Sequence, residues 1–316
     1  MSFSMELKNE LSSIIQNRCC EKAMLKGALQ VNSSLALNSD GLSIEFRTKN
    51  ISVANKICLL AKDLYKVDAL VLAKKETKLY KEDTYIVMIN DKDKKIVDDL
   101  DLALSRIITR TKLNIELPKE CCQKAYLKGA FLAGGSINNP ETFSYHLQIQ
   151  VFNEEIALSI IELMNEYDLN ARYTKNKKGF IVYLKDSEKI SDFLRIMGSL
   201  NCLFTFEDYR IERDLNNSIN RIINCEVANH AKAIEAAQRQ LKDIEIVSKY
   251  YSDHLKKTLK EAIDLRLNNP EGTLQELSED SLDLIGKEIS KSALNHRFRI
   301  IKELANNISN EKETNK

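Results

Sequence analysis

CCEKAMLKGA (Cys19–Ala28) and CCQKAYLKGA (Cys121–Ala130) are near copies of one phrase in a single chain, identical at eight of ten positions and offset by 121 − 19 = 102 residues. That offset is too long for a solenoid repeat and fits the duplication of a small domain. Read as helix, Ala125, Gly129 and Ala133 fall at i, i+4 and i+8, and Ala23, Gly27 and Val31 fall the same way in the first copy. Each copy therefore carries one stripe of small residues along a helix face. Glycine costs about 1 kcal/mol against alanine inside a helix, so its use at the same place in both copies predicts a close backbone contact between the two helices.

The residues after each phrase repeat one order of elements. SLALNS and LSIEFRTK alternate apolar and polar residues around Asp40-Gly41, a hairpin signal. A helix fits VANKICLLAKDLYK, then come two strand-like runs, VDALVLAKKE and TYIVMIN, and a helical IVDDLDLALSRI. The second copy runs through SYHLQIQVF, a helical EEIALSIIELMNEY, then ARYTKN and GFIVYLKD around a Lys-Lys-Gly turn, and a helical SEKISDFLRIMG. Each unit reads α-β-β-α-β-β-α, and two units make a pseudo-dimer.

The whole chain has 316 residues, 43% hydrophobic and 29% charged. That suits a soluble globular protein of two or three domains. No apolar run approaches 18 residues and no signal-peptide pattern opens the chain, so a cytoplasmic location without membrane attachment is expected. The seven cysteines (19, 20, 58, 121, 122, 202, 225) are odd in number and include two vicinal pairs. Strain disfavours such pairs as disulfides, and reduced thiols are the better reading. There is no Cys-x-x-Cys spacing, so no zinc site is expected from spacing, and no other metal or cofactor either.

Lys+Arg against Asp+Glu is 31 to 30 over residues 1–215 and 16 to 16 over 216–316. A nucleic-acid site must then come from local clustering. Between Lys287 and Lys302 stand Lys287, Lys291, Arg297, Arg299 and Lys302 against one acid, Glu288.

Beyond Leu215 strand signals stop. SINRIINCEVANHAKAIEAAQRQLKDIEIV predicts a connecting helix or two. Its Asn220, Arg221, Asn224, Glu226 and Asn229 suit capping or cross-linking at a domain junction, or a regulatory contact. Three helices follow. HLKKTLKEAIDLRL ends at the Asn268–Gly272 turn, Thr273 with Glu276 makes a capping-box signature opening TLQEL, and a polar, flexible stretch leads to ISKSALNHRFRIIKELANNI. In that last helix Leu294, Phe298, Ile301, Leu304, Ala305 and Ile308 form one apolar face. Ser290, Lys291, Ser292, Asn295, His296, Arg297 and Arg299 gather early and mostly outside it. A recognition helix needs this arrangement: an apolar side to dock, and Asn and Arg near its N-terminal half to reach base edges in the major groove. Ser, Lys and the helix N-terminus suit phosphate. A solvated face on a small helical bundle presents the same pattern, so the residues alone leave both readings open. His296, with no Cys or second His beside it, is no metal ligand by pattern.

CCQKAYLKGAFLAGGSINNPETFSYHLQI, NRIINCEVANHAKAIEAAQRQLKDI and ISKSALNHRFRIIKELA together resemble the WhiA family of bacterial DNA-binding proteins over nearly the whole chain. The resemblance implies an α+β fold: a duplicated LAGLIDADG-like αββαββα saddle of the homing-endonuclease type, followed by an all-α helix-turn-helix domain. The expected boundaries are 1–115 and 116–215 for the repeats, 216–248 for a helical linker and 249–310 for the DNA-binding domain, with its motif at about 273–306. One departure is that DSLDLIGK separates Glu279 from Glu288, longer than the family's usual connection, so an extended turn is expected. In active LAGLIDADG enzymes each repeated helix ends in an acid that holds a divalent metal. The matching positions here are Gln30 and Asn32, and Leu132 and Gly134.

The resemblance thus implies a sequence-specific binder of double-stranded DNA, nucleoid-associated and not an enzyme. It implies transcription regulation linked to cell division and chromosome segregation, and to sporulation in some lineages. Asn295, Arg297 and Arg299 are expected readers, with Ser290, Lys291 and Ser292 on phosphate and His296 beside them. The saddle, with His146, Gln148 and Gln150 on one strand and Glu45 beside Arg47 on another, is mixed in sign and is expected first as a scaffold or a surface for other cell-division or transcription proteins. A metal-dependent endonuclease and a protein-binding adaptor are the competing readings.

Overall fold

The computed structural model describes residues 2–38, 41–74, 83–102, 117, 119–142, 144–251 and 254–314. The chain divides into two compact units, Met1–Arg213 and Asp214–Lys316.

The first unit holds both repeats. After α1 (Phe3–Ser13), the first repeat runs α2 (Arg18–Asn32), β1 (Ser33–Asn38), β2 (Gly41–Thr48), α3 (Ile51–Tyr65), β3 (Ala69–Lys74), β4 (Thr84–Asn90) and α4 (Lys95–Asp99). The second runs α5 (Glu120–Gly134), β5 (Gly135–Ile137), β6 (Leu147–Val151), α6 (Glu154–Asn165), β7 (Arg172–Asn176), β8 (Gly179–Leu184) and α7 (Ser187–Met197). The two four-stranded sheets are antiparallel with equivalent orders, β1-β2-β4-β3 and β5-β6-β8-β7. The α-β-β-α-β-β-α order read from the sequence is therefore present twice. The last helix expected in the first repeat, Ile96–Ile107, begins as α4, and its final five residues fall in 103–116, outside the described residues. The centre of the first hairpin, whose strands pair Asn38 with Gly41, also lies outside them.

Period-two alternation sends one face of each sheet inward. Ile44, Phe46, Val87 and Ile89 of the first sheet and Leu147, Ile149, Val151 and Val182 of the second are fully buried. They share one core with Met24, Leu25 and Leu29 of α2 and Tyr126, Leu127 and Phe131 of α5. The predicted close contact is there. A Cβ on Gly27 would lie 2.2 Å from the Tyr126 carbonyl oxygen, and one on Gly129 would lie 1.9 Å from that of Met24. Two elements have no stretch of sequence assigned to them above: the short β5, which begins at Gly135, and α1. From α1, Glu10 accepts hydrogen bonds from the backbone N–H groups of Asn201 (2.8 Å) and Cys202 (3.0 Å), satisfying donors that a helix start otherwise leaves free.

That start belongs to α8 (Leu200–Tyr251), one uninterrupted helix of 52 residues. From Asp214 to Lys232 nearly every residue is exposed, including Asn220, Arg221, Asn224, Glu226 and Asn229. Arg221 donates to the Asn217 carbonyl and Ser218 Oγ, and Asn229 to Cys225 Sγ, all within the same helix.

The second unit adds α9 (Lys257–Asn268), α10 (Leu274–Ile285) and α11 (Lys291–Thr314) to the end of α8. Its separate core gathers Ile244 and Val247 of α8, Leu259, Ala262, Ile263 and Leu265 of α9, Leu277 of α10, and Leu294, Phe298, Ile301, Ala305 and Ile308 of α11.

Candidate nucleic-acid interface

α10 opens on the capping box expected from Thr273 and Glu276. Thr273 Oγ1 accepts from the Glu276 N–H at 3.2 Å, and Glu276 Oε2 accepts from the Thr273 N–H at 2.6 Å. The helix then continues through SEDSLDLI, where a flexible stretch was expected. Leu277 and Ser281 are buried and Ile285 is half-buried at i, i+4 and i+8, so one face keeps packing for two further turns. Gly286 ends it in the left-handed conformation at φ 75°. The turn that follows is held from both sides: Ser281 Oγ accepts from the Ile289 N–H at 2.8 Å and Ser278 Oγ donates to the Ile289 carbonyl at 2.7 Å. The added length thus lies in the helix and not in an extended turn.

α11 is capped by Ser290, whose Oγ accepts from the Ala293 N–H at 3.3 Å. Its apolar face is the one read from the sequence. Ser290, Lys291, Ser292, Asn295, His296 and Arg299 lie exposed on the other side, and Arg299 Nη2 stands 3.2 Å from His296 Nδ1. These six share a surface. Arg297 does not join it: its side chain is 15% exposed and its guanidinium pairs with Glu261 at 3.1 Å. Lys287 pairs with the same carboxylate at 2.8 Å. Lys287 first, and Arg297 after it, hold the Glu261 carboxyl below the usual carboxylate range. The sequence groups Arg297 with the exposed readers, and the structure corrects this, because the acid it meets comes from α9, 36 residues earlier in the chain.

Sequence reasoning also missed Arg239 and Lys242 of α8. With Asn295, Arg299 and Lys302 of α11 they line a groove that Asp243 also borders. Burial pushes the Asp243 carboxyl up, with Lys302 drawing it down. Two cations three residues apart on one helix are an available signal, since positions i and i+3 share a face. The partner helix was not readable from them.

Behind α11, Arg266 is buried at 1% exposure, and among the described residues no carboxylate pairs with it. Its guanidinium donates to Gln240 Oε1 at 3.0 and 2.8 Å and to the carbonyls of Asn269 and Gly272, and it lies over the Phe298 ring at 5.5 Å. It joins the end of α8, the α9–α10 turn and the recognition-like helix.

In the first unit, the four positions that would carry nuclease acids are occupied otherwise. Gln30 is buried, donating to the Leu100 carbonyl at 3.2 Å and accepting from Tyr126 Oη at 2.8 Å, while Asn32 donates to the Arg47 carbonyl at 2.8 Å. Leu132 is fully buried, and Gly134 sits where a Cβ would meet the Gln150 carbonyl oxygen at 2.2 Å. None of the four offers the anionic oxygen that Mg²⁺ or Ca²⁺ requires. On the strands, Arg47 is paired with Glu45 at 2.6 Å and His146 Nε2 lies 3.1 Å from Gln148 Oε1.

Fold and site together define a class: a helix-turn-helix domain carried in the same chain as a pair of LAGLIDADG-like repeats whose metal-binding positions are neutral. Family models match in three segments, the WhiA N-terminal LAGLIDADG-like domain at 18–103, the WhiA LAGLIDADG-like domain at 123–216 and the WhiA C-terminal HTH domain at 219–305. The chain is 43% identical over 310 residues, 98% of each chain, to the probable cell division protein WhiA of Oceanobacillus iheyensis. It is 44% identical over 307 residues, 96% of each, to that of Bacillus cytotoxicus. The crystal structure of full-length WhiA from Thermatoga maritima shares the fold, with a TM-score of 0.57 at 21% identity over 97% of this chain and 99% of that one. The chain belongs to the WhiA family.

Proposed function

We propose that this chain is a sequence-specific DNA-binding protein that regulates transcription in connection with cell division and chromosome segregation, and that it has no nuclease activity. The observation that carries the reading is the exposed face of α11: Asn295 and Arg299 beside the capped helix start, opposite a face docked in the core. In the major groove Arg299 makes bidentate contacts to guanine and Asn295 to adenine. Ser290, Lys291, Ser292 and the N-terminal amides of α11 take phosphate, with Arg239, Lys242 and Lys302 adding positive charge along the backbone. His296 orients Arg299. Arg297 acts on the DNA only indirectly, by holding α11 against α9.

The functional divisions we assign are the repeats at 1–115 and 116–215, a linker at 216–248 and the DNA-binding domain at 249–310. The connection to cell division rests on the names of the relatives. On this reading the protein works in the cytoplasm on the nucleoid, with the repeats offering a surface to other division or transcription proteins.

A gel-shift titration on genomic fragments tests the reading. Asn295→Ala with Arg299→Ala removes two base contacts of about 1–3 kcal/mol each, so specific affinity falls at least tenfold while non-specific binding is largely kept. Lys291→Ala weakens all sequences alike and lowers the salt slope by about one unit. Unchanged specific affinity in the double variant refutes the assignment. Plasmid nicking by the wild-type chain with Mg²⁺ or Mn²⁺ refutes the non-enzymatic reading.

A further inference from the structure

The two vicinal cysteine pairs of the duplicated phrase, separated by about a hundred residues of chain, converge. The Sγ atoms of Cys19, Cys20, Cys121 and Cys122 all lie within 4.8 Å of one another, and Cys19 Sγ is 3.9 Å from Cys20 Sγ. Cys20 and Cys122 are buried while Cys19 and Cys121 are exposed, so the cluster has two inner and two outer sulfurs, one of each from each repeat. Among the described residues it is the only group of three or more His, Cys, Asp or Glu side chains arranged to hold a metal ion.

We infer that these four thiols form a tetrathiolate zinc site that staples the two repeats together at the first turns of α2 and α5. A tetrahedral zinc ion with Zn–S bonds of about 2.3 Å sets its sulfurs about 3.8 Å apart. Cys19 and Cys20 already stand at that spacing, and the remaining pairs close on it by shifts of an ångström or less. Four cysteine sulfurs are the soft, tetrahedral ligand set that selects zinc. An iron–sulfur cluster interposes several metal and sulfide atoms and needs its cysteines farther apart.

The spacing rule that identifies zinc sites in sequence misses this one. Cys-x-x-Cys lets one loop chelate through two sulfurs, whereas here each helix supplies adjacent residues and the parallel packing of two helices completes the set. Gly27 and Gly129 permit that packing, because their missing side chains let each helix touch the other's backbone and bring both first turns to one level.

On binding, four S–H bonds break and four Zn–S bonds form. Four protons leave to solvent past the exposed Cys19 and Cys121, and no electron is transferred. The resulting site carries two negative charges. Cys19 and Cys20, and Cys121 and Cys122, fall in the first turns of their helices, where unpaired N–H groups favour negative charge. Within each pair a disulfide is excluded by the helical backbone. Between the repeats a disulfide competes for the same sulfurs.

Metal analysis of the full chain, purified from cytosol under reductant without a metal-affinity tag, tests the site. The expected result is one zinc per chain, lost in Cys20→Ser with Cys122→Ser and kept in Cys58→Ser and Cys225→Ser, whose thiols lie outside the cluster. The wild-type chain gives a reading that needs no variant to fold. Titration with an organomercurial should release the zinc as the four thiols react, and cobalt added to chelator-treated protein should show the thiolate charge-transfer and tetrahedral ligand-field bands. Wild-type protein that holds no zinc and takes up neither zinc nor cobalt overturns the inference. A disulfide between the pairs in freshly isolated, metal-free protein overturns it as well.

Discussion

Replacing Gly129 by alanine should unfold the first unit more easily, although alanine is the better helix former. The new Cβ would stand 1.9 Å from the Met24 carbonyl oxygen, and ordinary contact begins near 3.4 Å, so α2 and α5 must part by about 3.4 − 1.9 = 1.5 Å at that point. Neither partner can turn aside, because the obstacle is backbone. Overpacking of this kind costs about 1–3 kcal/mol, and more where the surroundings are rigid. Opening a gap of an ångström along the neighbouring side chains forfeits up to about half of their dispersion attraction. Against this, alanine regains about 1 kcal/mol of helix propensity. With backbone as the obstacle the overpacking cost lies at or above the top of that range and the lost dispersion adds to it, so the net loss is about 2–4 kcal/mol. For a unit of about 200 residues each kcal/mol lowers the melting temperature by about 2–4 °C, which predicts a fall of about 4–16 °C. Urea unfolding followed by circular dichroism should show a lower midpoint at unchanged slope. Gly27→Ala, with its Cβ 2.2 Å from the Tyr126 carbonyl oxygen, should behave alike. The double variant should cost less than the sum, since the first substitution has already parted the helices. A midpoint equal to or above wild type in Gly129→Ala would show that the repeated glycines do not serve close approach.

Three further outcomes are expected. Glu261 is held below the usual carboxylate range by Lys287 and Arg297, so its contribution is present above the unfolded value of about 4.3 and fades as pH falls below it. The stability difference between wild type and Glu261→Gln, measured by urea midpoint, should be largest near neutrality and shrink as pH falls through the lowered folded-state value; a difference independent of pH refutes the pairing. Arg266→Lys should destabilise the second unit by about 2–4 kcal/mol, because one ammonium cannot replace a planar fork that reaches Gln240 and two carbonyls at once. Calorimetry on the full chain reads this as a lowered transition for that unit, and a wild-type transition counts against it. Thr273→Ala removes the capping box of α10 and should cost about 1 kcal/mol, measurable as a small loss of midpoint without loss of cooperativity.

Local pattern carried most of the fold. The two LKGA phrases announced the duplication, alternation announced the strands of both sheets, and Thr273-x-x-Glu276 announced the start of α10, because each of these signals is written within a few residues of chain. Where a local signal was weak, the reading stopped short. SEDSLDLI looked polar and flexible, and only the burial of Leu277, Ser281 and Ile285 against helices elsewhere in the chain makes it helix. β5 begins at the second of two glycines and pairs with a strand ten residues on, so its own three residues carry no strand signature.

The same division runs through the candidate site. Which side of α11 faces solvent follows from helical periodicity, a property of the sequence alone. Whether an arginine on that helix is free to reach a duplex depends on which acid another helix brings to it, and Glu261 removes Arg297 while Arg299 remains exposed. The four cysteines are the sharpest case. The sequence determined that each repeat begins its central helix with two adjacent thiols, but a sulfur's neighbours across a helix interface are set by the approach of two backbones. That approach exists only once Gly27 and Gly129 are in contact with the facing helix in the folded chain.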